Sequence, residues 1–279
     1  SGCVDSRVST VEISGKTMGT TYHIKVVSDD LDPDSLKKDV DAQLFQFNQV
    51  FSTYIPGSEL SRINVGYGDI QVSREILKVL FLSREIYQLS GGAFDPTVGA
   101  LVNLWGFGPS GPGKGVPSDE EISQAVTRAG FTRIVLGEQT ITKPEGLVVD
   151  LSAIAKGYAV DVISDALKAM GEHRYLVEIG GEISASGMNG RDVPWVIGIE
   201  APDIQARRVQ RTLPILNMGV ATSGGYRNFF EHEGQMYSHA LNPVTGWPVK
   251  HNLASVTVLH PRAGYADGLA TAFYVLGEV

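Results

Sequence analysis

At 279 residues, with 43% apolar and 19% charged side chains, the chain can bury a real core without covalent staples, as one large domain or two small ones. Its net charge of −8 and its 23 scattered lysines and arginines exclude nucleic acid as the main partner, which would call for a basic stripe. No apolar run reaches the roughly 18 residues of a membrane-spanning helix, and the single cysteine allows neither an internal disulfide nor a thiolate zinc cage.

That cysteine is Cys3, in Ser1-Gly2-Cys3. A small-small-Cys sequence reads either as the end of a bacterial lipoprotein signal or as a stray terminal thiol. Having no second cysteine suits an exported protein that avoids mispairing. Residues 1–9 read as a tether and 10–279 as one domain.

Thr20–Val27 alternates as a strand, and a helix is expected from about Asp32-Pro33. Leu36, Val40, Leu44, Phe47 and Phe51 keep helical spacing along it. A second helix runs from a Ser73 cap to a Gly91 stop. Ser118-Asp-Glu-Glu121 is a capping box that opens a third, ending at Gly130. The apolar run Leu147–Leu151 predicts a strand, followed by a helix to Gly171 and a strand Tyr175–Ile179. Further β structure is expected at Trp195–Ile199, at a hairpin around Glu233-Gly234 and at Ser255–Leu259. A last helical pattern begins near Tyr265. It stops at Gly277-Glu278-Val279, where the expectation is a chain that continues. Strands and helices mix without a βαβ rhythm, which predicts an α+β fold with a largely antiparallel sheet and packed helices.

Several segments carry residues fit for chemistry. In Ser238-His-Ala-Leu-Asn-Pro-Val-Thr-Gly-Trp-Pro248 two prolines and a glycine exclude a helix or a central strand. The result is a stiff loop that holds a histidine, the side chain whose ordinary pKa lies nearest neutrality. The other histidines show no metal-ligand spacing, and for them structural or solvated roles are expected. Asp267 and Thr271 are one helical turn apart. They suit a hard cation such as Mg²⁺, or else Asp267 is a helix cap and Thr271 bonds back to a carbonyl. In Val148-Val-Asp-Leu-Ser-Ala-Ile-Ala-Lys-Gly157, Asp150 and Lys156 flank a helix start that offers amides to an anion, or Asp150 or Ser152 merely caps it. Gly157 inside that helix implies a close neighbour. Asp95-Pro96 opens another helix, and Asp95 caps it or faces a ligand. Ala221-Thr-Ser-Gly-Gly-Tyr226 offers the amides of a flexible turn. For Trp105, Trp195 and Trp247 burial is expected, with ring stacking as the alternative.

Taken in order, these motifs resemble the ApbE family of FAD:protein FMN transferases. The resemblance covers nearly the whole chain, from Lys16-Thr-Met-Gly-Thr20 to Tyr274-Val-Leu-Gly277. It includes Ser52-Thr-Tyr54, Gly92-Ala-Phe-Asp-Pro-Thr-Val-Gly99, Leu101-Val-Asn-Leu-Trp-Gly-Phe-Gly108, Ile179-Gly-Gly181 and the His239 loop. It implies a T-fold-like architecture and Mg²⁺-dependent transfer of FMN from FAD to a Thr or Ser hydroxyl of an acceptor protein, with release of AMP. By resemblance Met18, Tyr54, Ala93, Phe94, Asp95, Asp150, Lys156 and Leu241 contact FAD. Ala153 (through its carbonyl), Asp267 and Thr271 hold Mg²⁺, and His239 is the base. The implied acceptors belong to membrane redox complexes, and the implied location is the periplasm, with Cys3 anchoring a lipoprotein in the inner membrane. Two alternatives use the same residues: a Mg²⁺-dependent FAD pyrophosphatase and a non-catalytic FAD carrier. A carrier needs no base, which weighs against the second.

Overall fold

The structure, a computed structural model, describes residues 9–111, 115–201, 208–225 and 229–278. Cys3, Tyr226 and Val279, singled out above, lie outside them. The chain opens with β1 (Thr10–Thr17) and β2 (Thr20–Val27), then α1 (Pro33–Phe51), α2 (Glu59–Val65), β3 (Gly68–Gln71) and α3 (Arg74–Leu89). Next come α4 (Gly99–Leu104), α5 (Asp119–Arg128), β4 (Val135–Leu136), β5 (Thr140–Lys143) and α6 (Ser152–Ala169). Then follow β6 (Tyr175–Ile179), β7 (Glu182–Ser186), β8 (Trp195–Glu200), β9 (Val209–Ile215) and β10 (Met218–Gly224). The last elements are β11 (Phe229–His232), β12 (Gln235–Ser238), β13 (Ser255–His260) and α7 (Ala263–Leu276).

These elements form two compact units interleaved in sequence. The first comprises Ser1–Gln46, Lys156–Ala221 and Leu259–Ala266; the second comprises Phe47–Ala155, Thr222–Val258 and Asp267–Val279. A six-stranded sheet has the order β1-β2-β6-β7-β10-β13, and its strands β1, β2, β6 and β7 belong to the first unit. The pairs β1/β2, β2/β6, β6/β7 and β7/β10 are all antiparallel. Two of its hairpins turn on two residues at positive φ, Met18-Gly19 (51° and 71°) and Gly180-Gly181 (62° and 106°). Such turns match the right-handed twist of the strands they join. The β8/β9 ribbon buries Trp195, Ile197 and Ile215 in one cluster with Val27, Ala185 and Val220. Trp195 therefore packs, and its indole donates to the Ser186 carbonyl.

Helix α7 begins where the first unit supplies partners for its amides. Both oxygens of Asp161, on α6, accept from the first turn, Oδ1 from Ala263 and Oδ2 from Gly264, each at 2.9 Å. A Cβ on Gly264 would fall 3.2 Å from the Tyr158 backbone. The start of α7 therefore approaches α6 closely at Tyr158, the residue after Gly157. Because the helix starts at Ala263, Asp267 lies inside it and cannot be its cap.

In the second unit a three-stranded sheet, β3-β5-β4, accompanies α2 to α5. Ser73 caps α3 by accepting from the Ile76 amide, and Ser118 with Glu121 forms the expected capping box on α5. The second core cluster gathers Leu101, Trp105, Ile122, Ala125, Tyr237 and Leu241. Three sequence expectations change here. Residues 147–151 are buried apart from half-buried Val148, but they are not a strand: they make one parallel bridge, Val98 to Val148, and the Asp150 amide donates to the Pro96 carbonyl at 2.7 Å. Burial against a loop, not sheet pairing, explains their apolar run. Pro96 lies in a turn, and α4 starts three residues later at Gly99. Ala221–Gly224 continues β10, because partnership within the six-stranded sheet overrides the turn preference of its small residues.

Candidate functional site

The loop that carries His239 is held from several directions. Leu241 and Pro248 form an antiparallel bridge, flanked by hydrogen bonds from the Asn242 amide to Trp247 O and from the Val249 amide to Ala240 O, both 2.9 Å. The Asn242 carboxamide accepts from the Val244 amide at 2.9 Å and the Thr245 amide at 3.2 Å, an Asx-turn. Gly246 (φ 72°) has no room for a side chain: a Cβ would fall 2.6 Å from Ile122 and 2.7 Å from Val126. Its carbonyl accepts from the Trp105 indole at 2.8 Å. The stiffness expected from two prolines therefore comes as much from Asn242 and Trp105. His239 itself is half-buried, with its ring edge-on to Phe107 at 6.3 Å between centroids.

Within the second unit, one side of α7 carries two of the predicted metal residues, Asp267 and Thr271. At the level of Asp267, a Cβ on the adjacent Gly268 would fall 3.5 Å from Ile154 Cδ1 and 3.6 Å from Phe94 Cε2. Gly268 thus faces Ile154 of α6 and Phe94, while Asp267, its neighbour in the chain, is buried (4% exposed). One turn on, Thr271 Oγ1 and Ser223 Oγ are 3.0 Å apart. Further along, Gly225 is wedged between Tyr274 and Ser238: a Cβ would fall 2.5 Å from the phenol oxygen and 2.7 Å from the serine hydroxyl. Positions 267, 271 and 274 share a face, so this face carries Asp267, Thr271 and, through Gly225, the neighbourhood of Ser238, the residue before His239. Glycines 225 and 268 are what let the neighbouring segments approach so closely.

The remaining second-unit candidates are placed as follows. Ala93 and Phe94 are buried. Asp95 Oδ1 accepts from the Thr97 amide at 2.8 Å and the Thr97 hydroxyl at 2.5 Å, and Oδ2 accepts from the Phe131 amide at 3.4 Å. Its burial pushes the carboxyl above the usual range, against the pull of these hydrogen bonds. Asp150 Oδ1 accepts from the Ser152 amide at 2.7 Å at the start of α6, whereas Asp95 holds its own turn and does not cap α4, whose N-cap is Val98. Leu241 is buried, whereas the Tyr54 ring is 67% exposed. Of the first-unit candidates, Met18 occupies the β1–β2 turn. Lys156 runs along the Gly180 turn and donates to Glu182 Oε1 at 2.8 Å. A Cβ on Gly180 would also meet Thr20, at 2.8 Å, which places the two hairpin turns and Lys156 in one neighbourhood.

Residue-level reasoning assigned no role to Glu182, Ser223 or Asp161. Ser223 lay inside a motif read only for its amides. For Glu182 and Asp161 the partner is far along the chain, and no local spacing points to it.

The donor set at α7 suits a hard cation: one carboxylate, one hydroxyl and a nearby backbone carbonyl, all oxygen. Among the described residues no group of three or more His, Cys, Asp or Glu converges to hold a metal. A zinc-type cage is therefore not formed by them, whereas Mg²⁺ requires only one or two carboxylates and takes its other oxygens from phosphate and water.

Residues 18–279 match the model of the ApbE family. A Vibrio cholerae protein named FAD:protein FMN transferase is 44% identical over 283 residues, which span 99% of this chain and 84% of that protein. The solved flavin transferase ApbE of Vibrio cholerae shares 42% identity with a TM-score of 0.89, covering 97% of this chain and 88% of that one. The flavinyl transferase ApbE of Pseudomonas stutzeri, in its apo form, gives a TM-score of 0.89 at 41% identity, with 97% and 85% covered. The shared class is an α+β protein with a large antiparallel sheet. This chain belongs to the ApbE family.

Proposed function

We propose that this protein is an FAD:protein FMN transferase that uses Mg²⁺ and joins FMN to a Thr or Ser hydroxyl of an acceptor protein through a phosphoester. The observation that carries the reading is the α7 face, where Asp267 and Thr271 lie on the same side as the contact that positions Ser238-His239. In the reaction the acceptor hydroxyl oxygen attacks the FMN phosphorus, and the bond from that phosphorus to the bridging oxygen breaks. AMP leaves with the electron pair. His239 takes the proton of the hydroxyl, a role for which a positioned base contributes about 10²–10⁴-fold.

Asp267, Thr271 and the Ala153 carbonyl would hold Mg²⁺, which when bound neutralises charge on the pyrophosphate. Met18, Tyr54, Ala93, Phe94, Asp95, Asp150, Lys156 and Leu241 are the proposed FAD contacts. The exposed ring of Tyr54 is free to stack on a planar group, and Lys156 supplies a cation for the nucleotide's charge. The acceptors belong, in this reading, to membrane redox complexes. The protein works in the periplasm, held to the inner membrane through a lipid on Cys3; mass spectrometry of the protein extracted from its native membrane checks the anchor.

The activity is tested by incubating the protein with FAD, Mg²⁺ and a threonine-containing acceptor domain while following the acceptor's mass. A covalent FMN adduct and one AMP per adduct are expected. Free FMN and AMP without an adduct would replace transfer by hydrolysis, and unchanged FAD would leave a carrier.

A further inference from the structure

Glu182 is the most expensively placed acid of the first unit. It is the first residue after the Gly180-Gly181 turn, and its side chain is 4% exposed. Oε1 accepts from Lys156 Nζ at 2.8 Å, but Oε2 is buried with no hydrogen-bond partner among the described residues. A buried carboxylate oxygen without a donor carries a desolvation cost that packing does not return. Burial accordingly pushes the Glu182 carboxyl up, with the lysine's charge opposing. A buried acid with one unpartnered oxygen works against stability, which points to a task outside folding.

The task is visible in its partner. Lys156 keeps 33% of its side chain exposed, and a long lysine stem has many rotamers to lose when it is fixed. Its stem passes close to Gly180, where a Cβ would lie 3.2 Å from Lys156 Cδ, and its tip is held by the Glu182 carboxylate. An ammonium has three donors, so the bond to Glu182 does not by itself exhaust its capacity to meet a ligand.

We propose that Glu182 is a positioning residue for the flavin nucleotide: it anchors the Lys156 ammonium in the orientation in which that ammonium meets FAD. This rests on the reading of Lys156 as an FAD contact. The loss of the anchor leaves the lysine present but mobile, so it weakens FAD binding and leaves the chemical step alone.

The test is a double-mutant cycle on FAD binding, read by quenching of flavin fluorescence, with kcat and KM for FAD measured alongside. Lys156→Met and Glu182→Gln are each expected to raise the Kd for FAD about tenfold, the order of one charge-assisted hydrogen bond. In the Lys156→Met background Glu182→Gln should add nothing, and Glu182→Gln alone should raise KM while kcat holds. A purely structural glutamate would lower the melting temperature and leave Kd independent of residue 156. If Glu182→Gln folds poorly, Glu182→Asp, which keeps the charge but withdraws it by one methylene, is expected to give an intermediate Kd. Should Lys156→Met bind FAD like the parent, the underlying assignment of Lys156 fails. If Lys156→Met weakens binding while the Glu182 variants bind like the parent, or if the two effects add, only the positioning role is overturned.

Discussion

His239 follows Ser238, whose hydroxyl abuts Gly225 on one side and accepts from the Ala240 amide at 3.1 Å on the other. The imidazole is therefore carried by backbone that is fixed before any substrate arrives, the condition under which a base is effective. His239→Ala should slow FMN transfer about 10²–10⁴-fold while the FAD titration stays at the parent value; parent-rate transfer would remove the histidine from the mechanism. Asp267 should behave differently. It is the one carboxylate of the proposed cation site, so Asp267→Ala should move half-maximal activity to much higher Mg²⁺. Direct titration with Mn²⁺, followed by electron paramagnetic resonance, should show weakened metal binding in the same variant. Equal Mn²⁺ affinity in variant and parent would place the cation elsewhere.

At the scale of elements, the placing of α7 decides whether these residues meet. Ala263 is fully buried, so its amide has no recourse to water if Asp161 is lost. Asp161→Ala leaves two amides of the first turn without acceptors, at a cost of about 1–3 kcal/mol. Asp161→Asn, which keeps one oxygen acceptor, should lose less. Urea unfolding of the three proteins checks the ranking, and equal midpoints would mean that the helix start is held by something else. This anchor was not legible in the sequence, because Asp161 and Ala263 belong to different segments. What was legible followed local rules: the Ser73 and Ser118 caps, the five apolar positions of α1, and the strand Thr20–Val27. Residues 147–151 and 221–224 misled because apolar runs and glycine pairs report burial and freedom, not pairing. The single turn between Asp267 and Thr271 was readable, as helical spacing is. That Ser223 meets Thr271, and that Phe94 and Ile154 lie against Gly268, brings together segments far apart in the chain, which only the folded chain reveals.

For the whole molecule the buried ionisable groups set how stability follows pH, and they act with opposite signs. Burial pushes the Asp95, Asp161 and Glu182 carboxyls up. Their contribution is fully present below the ordinary carboxylate pKa of about 4 and is lost as pH rises through the raised folded values. Lys143 does the reverse. It is 2% exposed, its ammonium donates to the Leu147 carbonyl at 2.9 Å, and burial pulls its pKa down. Between that lowered value and about 10.4, the ordinary lysine value, the unfolded chain holds a proton that the folded chain has released. Stability must therefore rise with pH across this window, and the gain disappears as pH falls through the folded value. Other lysines and tyrosines also titrate in alkali, so the measurement is a difference: urea-unfolding free energies of the parent and of Lys143→Met from pH 7 to pH 10. The parent should gain on the variant steadily toward the alkaline end, since methionine fills the site without a proton to lose. Parallel curves would show that Lys143 keeps its charge in the fold, and the Leu147 carbonyl would then be a far better host for an ammonium than its burial allows.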